Sequence, residues 1–356
     1  MAYLSALPFK CIAVLALLLG PCFGEAAPAG MSSSKKAAGP LYANQTQAMA
    51  LADEIAKRHE LDRTWVRRVI AQARFQPQVV KLMTPLPTGV PKNWGAYRER
   101  FIESRRIDAG VAFWRKHRTW LEQAEKHYGV PAWLIVGVIG VETLYGQQTG
   151  TFRAVDALTT LSLDFPSSHP RAAERTQFFR TELGHLLALK TSGLNPLKLR
   201  GSFAGALGLP QFMPSSWRRF AVDFDGDGRI DLLNNVPDVI GSVANYFKTF
   251  NWQTGMPTHY AVEFDPARLD LETLLAPDIL PTFSVASFVD KGALPDSQGL
   301  HHPGKLALIE LQNGDAPPTY VAGSDNFYVI TRYNWSSYYA MAVIELGRAV
   351  QASLPP

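Results

Sequence analysis

From about Tyr42 onward, the alternation of apolar and polar positions is that of a chain built chiefly from helices. Leu51, Ile55, Trp65, Val66, Val69 and Ile70 carry the pattern up to about Lys81, and the proline-rich stretch Pro77–Pro91 is expected to interrupt it. Val111, Trp114, Leu121, Ala124 and Tyr128 recur at helical spacings, which predicts one buried face, with Gly129 as the stop. Pro131 opens the next helix. Another is expected from Pro170, burying Phe178, Leu183, Leu186 and Leu187, and one more from Asp238 through Ile240, Val243 and Phe247. Residues 253–325 change character: Leu306–Leu311 and Thr319–Val321 flank a turn at Asn313-Gly314-Asp315, which reads as a small β-containing insertion. A strand-like Phe327–Thr331 and a helix from about Ser336 to Val350 close the chain, and no fixed-period repeat is present.

The most apolar of these helices carries the first candidate for chemistry. Ala132–Val141 contains no charged or strongly polar residue, so the helix is expected to be buried all round, and Glu142 follows on its last turns before Gly146. Desolvation disfavours the carboxylate there, and the negative end of the helix acts in the same direction. A carboxylic acid that keeps its proton near neutrality is what general acid catalysis requires. The alternatives are a glutamate at the surface of a frayed helix end, or one paired with a buried arginine such as Arg153. The nearest further carboxylates in sequence, Asp156 and Asp164, carry no mark of a nucleophile. Composition and spacing therefore point to acid–base chemistry without fixing a reaction.

A second candidate is the loop Asp223–Asp231. It reproduces the first nine positions of an EF-hand, with Asp223, Asp225, Asp227 and Asp231 at positions one, three, five and nine, Gly226 at six, Arg229 at seven and Ile230 at eight. Asn234 stands where the bidentate glutamate would fall. The expectation is a structural calcium site, the alternative a solvated acidic turn.

Composition narrows the setting. With 47% hydrophobic and 19% charged residues among 356, disorder is excluded as the main state. A net charge of +4 does not suggest a dedicated nucleic-acid binder and mildly favours an acidic polymer. Lys10, the apolar run Cys11–Gly20, and then Pro21, Gly24, Ala26 and Ala27 read as a secretory signal peptide over residues 1–27, too short for a membrane span, followed by a flexible leader over 28–40. Both cysteines, Cys11 and Cys22, fall in the export segment, so no disulfide framework is expected. Leu19-Gly20-Pro21-Cys22 loosely resembles a lipoprotein box with an atypical proline, so an outer-membrane association depends on lipidation of Cys22.

Gly140-Val141-Glu142-Thr143, Gly201–Trp217, Gly241–Lys248 and Ile330–Met341 together resemble the membrane-bound lytic murein transglycosylase B family, in the family's order and over most of the chain. The resemblance implies a mainly α (α+β) fold: a lysozyme-like catalytic core with an N-terminal helical domain and a small β-containing insertion. Laid on this sequence, the layout is a helical domain at 41–110, a core at 111–252 with the EF-hand-like loop at 223–238, the insertion at 253–325, and a closing strand and helix at 326–352. It implies cleavage of the β-1,4 bond between N-acetylmuramic acid and N-acetylglucosamine in peptidoglycan, with a 1,6-anhydromuramoyl end and no water consumed. Glu142 matches the family's single acid–base residue. Tyr97, Ser202, Gln211, Tyr246, Tyr333, Asn334 and Tyr339 match positions lining its sugar groove. Tyr246 and Tyr339 also have apolar neighbours and are candidates for plain core residues. Leu207, Leu209 and Pro210 depart from the common pattern.

The family carries a comparable calcium loop whose last acidic ligand falls late. Asp238 is the matching candidate and competes for the role of helix N-cap. The implied ligand set is Asp223, Asp225, Asp227, Arg229 and Asp238, with no cofactor for the chemistry. A monomeric periplasmic protein acting on glycan strands follows, with no nucleic-acid partner. A hydrolase of the same bond and a non-catalytic calcium-binding wall protein are the competing readings.

Overall fold

The computed structural model describes residues 39–85 and 91–355. The signal peptide, most of the leader, and Cys11 and Cys22 lie outside the described residues. In chain order the elements are α1 (Thr46–Arg58), α2 (Arg63–Ala71), α3 (Pro77–Met83), α4 (Trp94–Glu99), α5 (Ser104–Lys116), α6 (Arg118–Tyr128) and α7 (Ala132–Thr143). Then come β1 (Phe152–Arg153), α8 (Ala154–Leu163), α9 (Ala172–Ala188), β2 (Arg200–Gly201), α10 (Pro214–Phe220) and α11 (Val236–Thr249). The chain continues with β3 (His259–Phe264), α12 (Leu271–Leu275), β4 (Phe283–Ser284), α13 (Val285–Asp290) and β5 (Ala293–Pro295). It closes with β6 (Lys305–Asn313), β7 (Ala316–Gly323), α14 (Asp325–Thr331) and α15 (Ser337–Ala352). Among the described residues no helix is long and apolar enough to cross a membrane.

These elements group into two compact units, residues 91–148 with 220–355, and residues 39–85 with 149–219. The division differs from the boundaries expected from the sequence, because the segments 41–110 and 111–252 each contribute to both units.

In the second unit, α8 is buried from Ala154 to Ser162. Asp156, only 5% exposed, accepts the backbone N–H of Arg74 at 2.9 Å and Arg153 Nη2 at 2.6 Å, which ties α8 to the earlier helices. Tyr42 donates to Asp164 at the end of the same helix. Arg153 is thereby committed to Asp156 and to the carbonyl of Gln72, so it is not the partner of Glu142.

In the first unit, α7 lies against α15 at backbone contact. A Cβ at Gly137 would stand 2.3 Å from the carbonyl oxygen of Val343, and one at Gly347 would stand 2.1 Å from that of Trp133, so only glycine allows the approach. A five-stranded antiparallel sheet in the order β4-β6-β7-β3-β5 forms within residues 253–325. Its core comprises Tyr260, Leu274, Phe288, Leu306, Leu308 and Ala322. The turn expected at Asn313-Gly314-Asp315 joins β6 to β7, with Gly314 at φ 66°, where glycine carries no Cβ penalty.

Local expectations failed at four places, each for a physical reason. Pro77 starts α3 instead of breaking a helix, because the first helical position needs no N–H donor. The face read across Val111–Tyr128 belongs to two helices that change direction at His117, which closes α5 and precedes α6. Phe179, not Phe178, is the buried aromatic of α9. Phe327–Thr331 is helical, since the Ser324 side chain accepts the Asn326 N–H and starts α14 despite strand-favouring residue types.

Candidate active site

Every residue of α7 is buried except Glu142. Past it the helix ends sharply, with Leu144 and Tyr145 at φ 48° and 56°, a left-handed pair that reverses the chain. Arg106 of α5, 9% exposed, donates from Nη1 to the carbonyl of Gly140 at 2.5 Å and so places a cation on the unsatisfied end of α7. The Tyr145 hydroxyl fills the space that a Cβ would take at both Gly110 and Gly140. These contacts fix the turn of helix that presents Glu142.

Tyr339, on the first turn of α15, donates its hydroxyl to Glu142 Oε1 at 2.6 Å. The other oxygen accepts no hydrogen bond among the described residues. Burial pushes the Glu142 carboxyl up to about 7, and the bond from Tyr339 opposes that rise; no second carboxylate contributes. Around it stands a set of aromatic rings. Tyr333 stacks on Tyr339 at 6.3 Å and 12°, Tyr246 lies 4.8 Å from Tyr333, and Tyr97 packs edge-on against Tyr338 at 5.8 Å. Burial first and the Glu142 charge second hold the Tyr97, Tyr333 and Tyr339 hydroxyls well above the ordinary tyrosine range, so they remain neutral donors. Tyr246 donates to the carbonyl of Arg332. Asn334, 9% exposed, has a side-chain oxygen with no partner among the described residues.

Thus Glu142, Tyr97, Tyr246, Tyr333, Asn334 and Tyr339 share one unit. Tyr246 and Tyr339, at 5% and 2% exposure, are core residues as well as members of this cluster. Ser202 and Gln211 belong to the other unit, in a loop of small residues closed by bridges from Leu207 to Gly201 and Phe212. Ser202 Oγ accepts the N–H groups of Ala204 and Ala206, and Gln211, at φ 50°, donates to the carbonyls of Thr149 and Gly208. Within that unit both side chains brace their own loop.

The acidic loop brings carboxylate oxygens of Asp223, Asp225 and Asp227 within 4.8 Å of one another. Gly226 and Gly228 take left-handed conformations at φ 75° and 86°, as a tightly wound loop requires. Asp238 does not join this group. Fully buried, it accepts the N–H groups of Phe224 and Asp231, each at 2.8 Å, and so staples the two ends of the loop together. Nor does Asp238 cap α11; Asn235 does, accepting the Asp238 N–H.

Sequence reasoning passed over Arg106, whose role depends on a contact across 34 positions, and Glu182 in the second unit. Glu182 is 3% exposed, and burial pushes its carboxyl up to about 7. Its oxygens accept the Ser215 N–H at 2.9 Å and the Ser215 hydroxyl at 2.6 Å, which caps the start of α10. Its neighbours Thr181 and Arg180 give no apolar run that would have flagged it.

The profile of the family described as Transglycosylase SLT domain matches residues 43–348. Membrane-bound lytic murein transglycosylase B of Escherichia coli (strain K12) is 38% identical over 320 residues, covering 87% of this chain and 84% of that protein. The crystal structure of soluble lytic transglycosylase SltB1 from Pseudomonas aeruginosa superposes with TM-score 0.76 at 38% identity, covering 86% of this chain and 99% of the other. Escherichia coli lytic transglycosylase Slt35 in complex with calcium gives 0.74 at 37% identity, covering 88% and 96%. SltB3 from Pseudomonas aeruginosa in complex with NAG-NAM-pentapeptide gives 0.69 at 27% identity, covering 86% and 80%. With its lysozyme-like, mainly helical fold and a family match over residues 43–348, the chain belongs to the Transglycosylase SLT domain family, alongside membrane-bound lytic murein transglycosylase B.

Proposed function

We propose that this protein is a lytic transglycosylase that cleaves the β-1,4 bond between N-acetylmuramic acid and N-acetylglucosamine in peptidoglycan and leaves 1,6-anhydromuramoyl ends. The observation that carries the reading is one glutamic acid, held protonated toward neutrality by burial, with a free oxygen and a phenol on the other. In the first step Glu142 gives its proton to the glycosidic oxygen as the bond from the anomeric carbon to that oxygen breaks. The carboxylate then takes the proton of the C6 hydroxyl, whose oxygen bonds to the same anomeric carbon. The proton returns to Glu142, no water enters, and atoms balance.

Each neighbouring group has a part. Tyr339 fixes the rotamer of Glu142 and stabilises its anion between the two transfers. Tyr97, Tyr246 and Tyr333 offer apolar faces to sugar rings, and the unpartnered oxygen of Asn334 suits the N–H of an N-acetyl group. Ser202 and Gln211 are assigned to binding glycan by their place in the family's motif. Mass spectrometry of digested murein tests the reading: products one water lighter than hydrolytic ones are expected, and reducing muramic ends throughout would refute it in favour of a hydrolase.

The loop fits a hard cation through its oxygen-only donors, its converging carboxylates and its left-handed glycines. Asp223, Asp225 and Asp227, with the backbone carbonyl of Arg229, would hold calcium, whose contribution is to the rigidity of the loop. A chelator is expected to lower the melting temperature by roughly 5 °C relative to saturating calcium, and an unchanged melt would discard the site. Export by residues 1–27 to the periplasm, with outer-membrane anchoring if Cys22 is acylated, completes the reading; analysis of the mature N-terminus checks it.

A further inference from the structure

A cavity of about 170 Å³ lies between the β6–β7 hairpin and the elements that carry the aromatic cluster, with Lys92, Asp278, Glu310, Gln312, Ser337 and Tyr338 on its polar wall. Its frame is tied together by the backbone. The Gly314 N–H at the hairpin tip donates to the Lys92 carbonyl at 2.9 Å, and the Gln312 N–H donates to the Tyr338 hydroxyl at 2.8 Å. Tyr338 joins the cavity to the candidate active site. Its ring packs edge-on against Trp94 and Tyr97 at 5.9 Å and 5.8 Å, and the next residue, Tyr339, holds Glu142. A ligand in the cavity would therefore sit one ring away from the sugar-facing aromatics.

Two charges of this wall meet only at longer range, with Lys92 drawing the Asp278 carboxyl down against the rise that burial causes. Lys92 and Asp278 face the same cavity, and neither enters an ion pair among the described residues. Asp278 is held at φ 55°, a conformation uncommon for a residue with a Cβ. Glu310, by contrast, is engaged by the Tyr320 hydroxyl at 2.9 Å and the Gln312 side chain at 3.2 Å. A cation and an anion kept apart across a small polar cavity suit a ligand that carries both signs a few bonds apart. The volume is roughly that of six waters, enough for one residue of a peptide.

We propose that this cavity is a subsite for the peptide arm of the wall polymer, with Lys92 receiving a peptide carboxylate and Asp278 a peptide ammonium. The proposal rests on the peptidoglycan reading above and extends it from the glycan to the peptide. It gives the β-containing insertion a part in recognising substrate.

Isothermal titration on the Glu142→Gln protein, whose turnover is slowed enough to leave the ligand intact, separates peptide binding from glycan binding. NAG-NAM-pentapeptide is expected to bind about tenfold more tightly than NAG-NAM. Added to that background, Lys92→Ala and Asp278→Asn should each remove most of the difference and leave NAG-NAM affinity unchanged. Both positions are exposed, and matching melting temperatures would establish that the variants are folded. Equal affinities for the two ligands, or variants that weaken both ligands alike or neither, would overturn the subsite while leaving the groove intact. Failure of both ligands to bind would overturn the groove reading and this proposal together.

Discussion

Glu142 and Glu182 are both buried glutamic acids pushed up to about 7, one in each compact unit, and in both burial is the first cause. Their surroundings differ in one respect that decides their roles. Glu182 is sealed, with Ser215 occupying its oxygens from backbone and side chain. Glu142 has one oxygen on Tyr339, the other without a partner among the described residues, and a cluster of tyrosines beside it. A raised carboxyl is therefore insufficient as a mark of acid catalysis; an open oxygen facing groups that can bind substrate completes it.

The comparison is broken most forcefully by exchanging each acid for its neutral isostere. Glu142→Gln should lower murein turnover by about 10²–10⁴-fold with the melting temperature maintained, whereas Glu182→Gln should leave turnover within about twofold; anhydromuropeptide release measures both. Loss of turnover in both, or in neither, would erase the distinction.

The second effect is on stability. The folded Glu182 holds its proton up to about 7 while the unfolded chain releases it near 4.5, so folding stability falls as pH rises through that window and the full cost remains above it. Glu182→Gln, neutral throughout, should match the wild type near pH 4 and exceed it by about 3 kcal/mol above pH 7. Urea unfolding at the two pH values reads this directly.

A smaller effect sharpens the account of Glu142. Tyr339→Phe removes the one hydrogen bond that lowers the Glu142 pKa, so the alkaline limb of the pH–rate profile should move upward while turnover falls about tenfold. An alkaline limb that stayed in place would detach Tyr339 from the titration of Glu142.

Against this background the limits of the sequence are physical. Glu142 was legible because burial of Ala132–Val141 follows from composition alone, and Tyr246, Tyr333 and Tyr339 were legible as its neighbours because they sit in motifs of a recognisable family. Glu182 was not, since the residue that satisfies its oxygens, Ser215, lies 33 positions away on another helix. Asp238 was offered by the resemblance as a late metal ligand, and the fold adds what the sequence could not: its oxygens accept two backbone N–H groups that only the folded loop brings together. The helix at 325–331 shows a cap overriding strand propensity, and the break at His117 shows a periodic pattern running across two helices. The hairpin was predictable because Asn313-Gly314 encodes its own turn.

The central claim is that Glu142 holds its proton until neutrality in a site open to substrate. Carbon-13 NMR titration of the glutamate side-chain carboxyls, with Glu142→Gln used to assign the resonance, tests it most directly. A midpoint near 7 that moves upward in Tyr339→Phe is the predicted result; a midpoint at or below 4.5, with the carboxylate ionised throughout the neutral range, would contradict it.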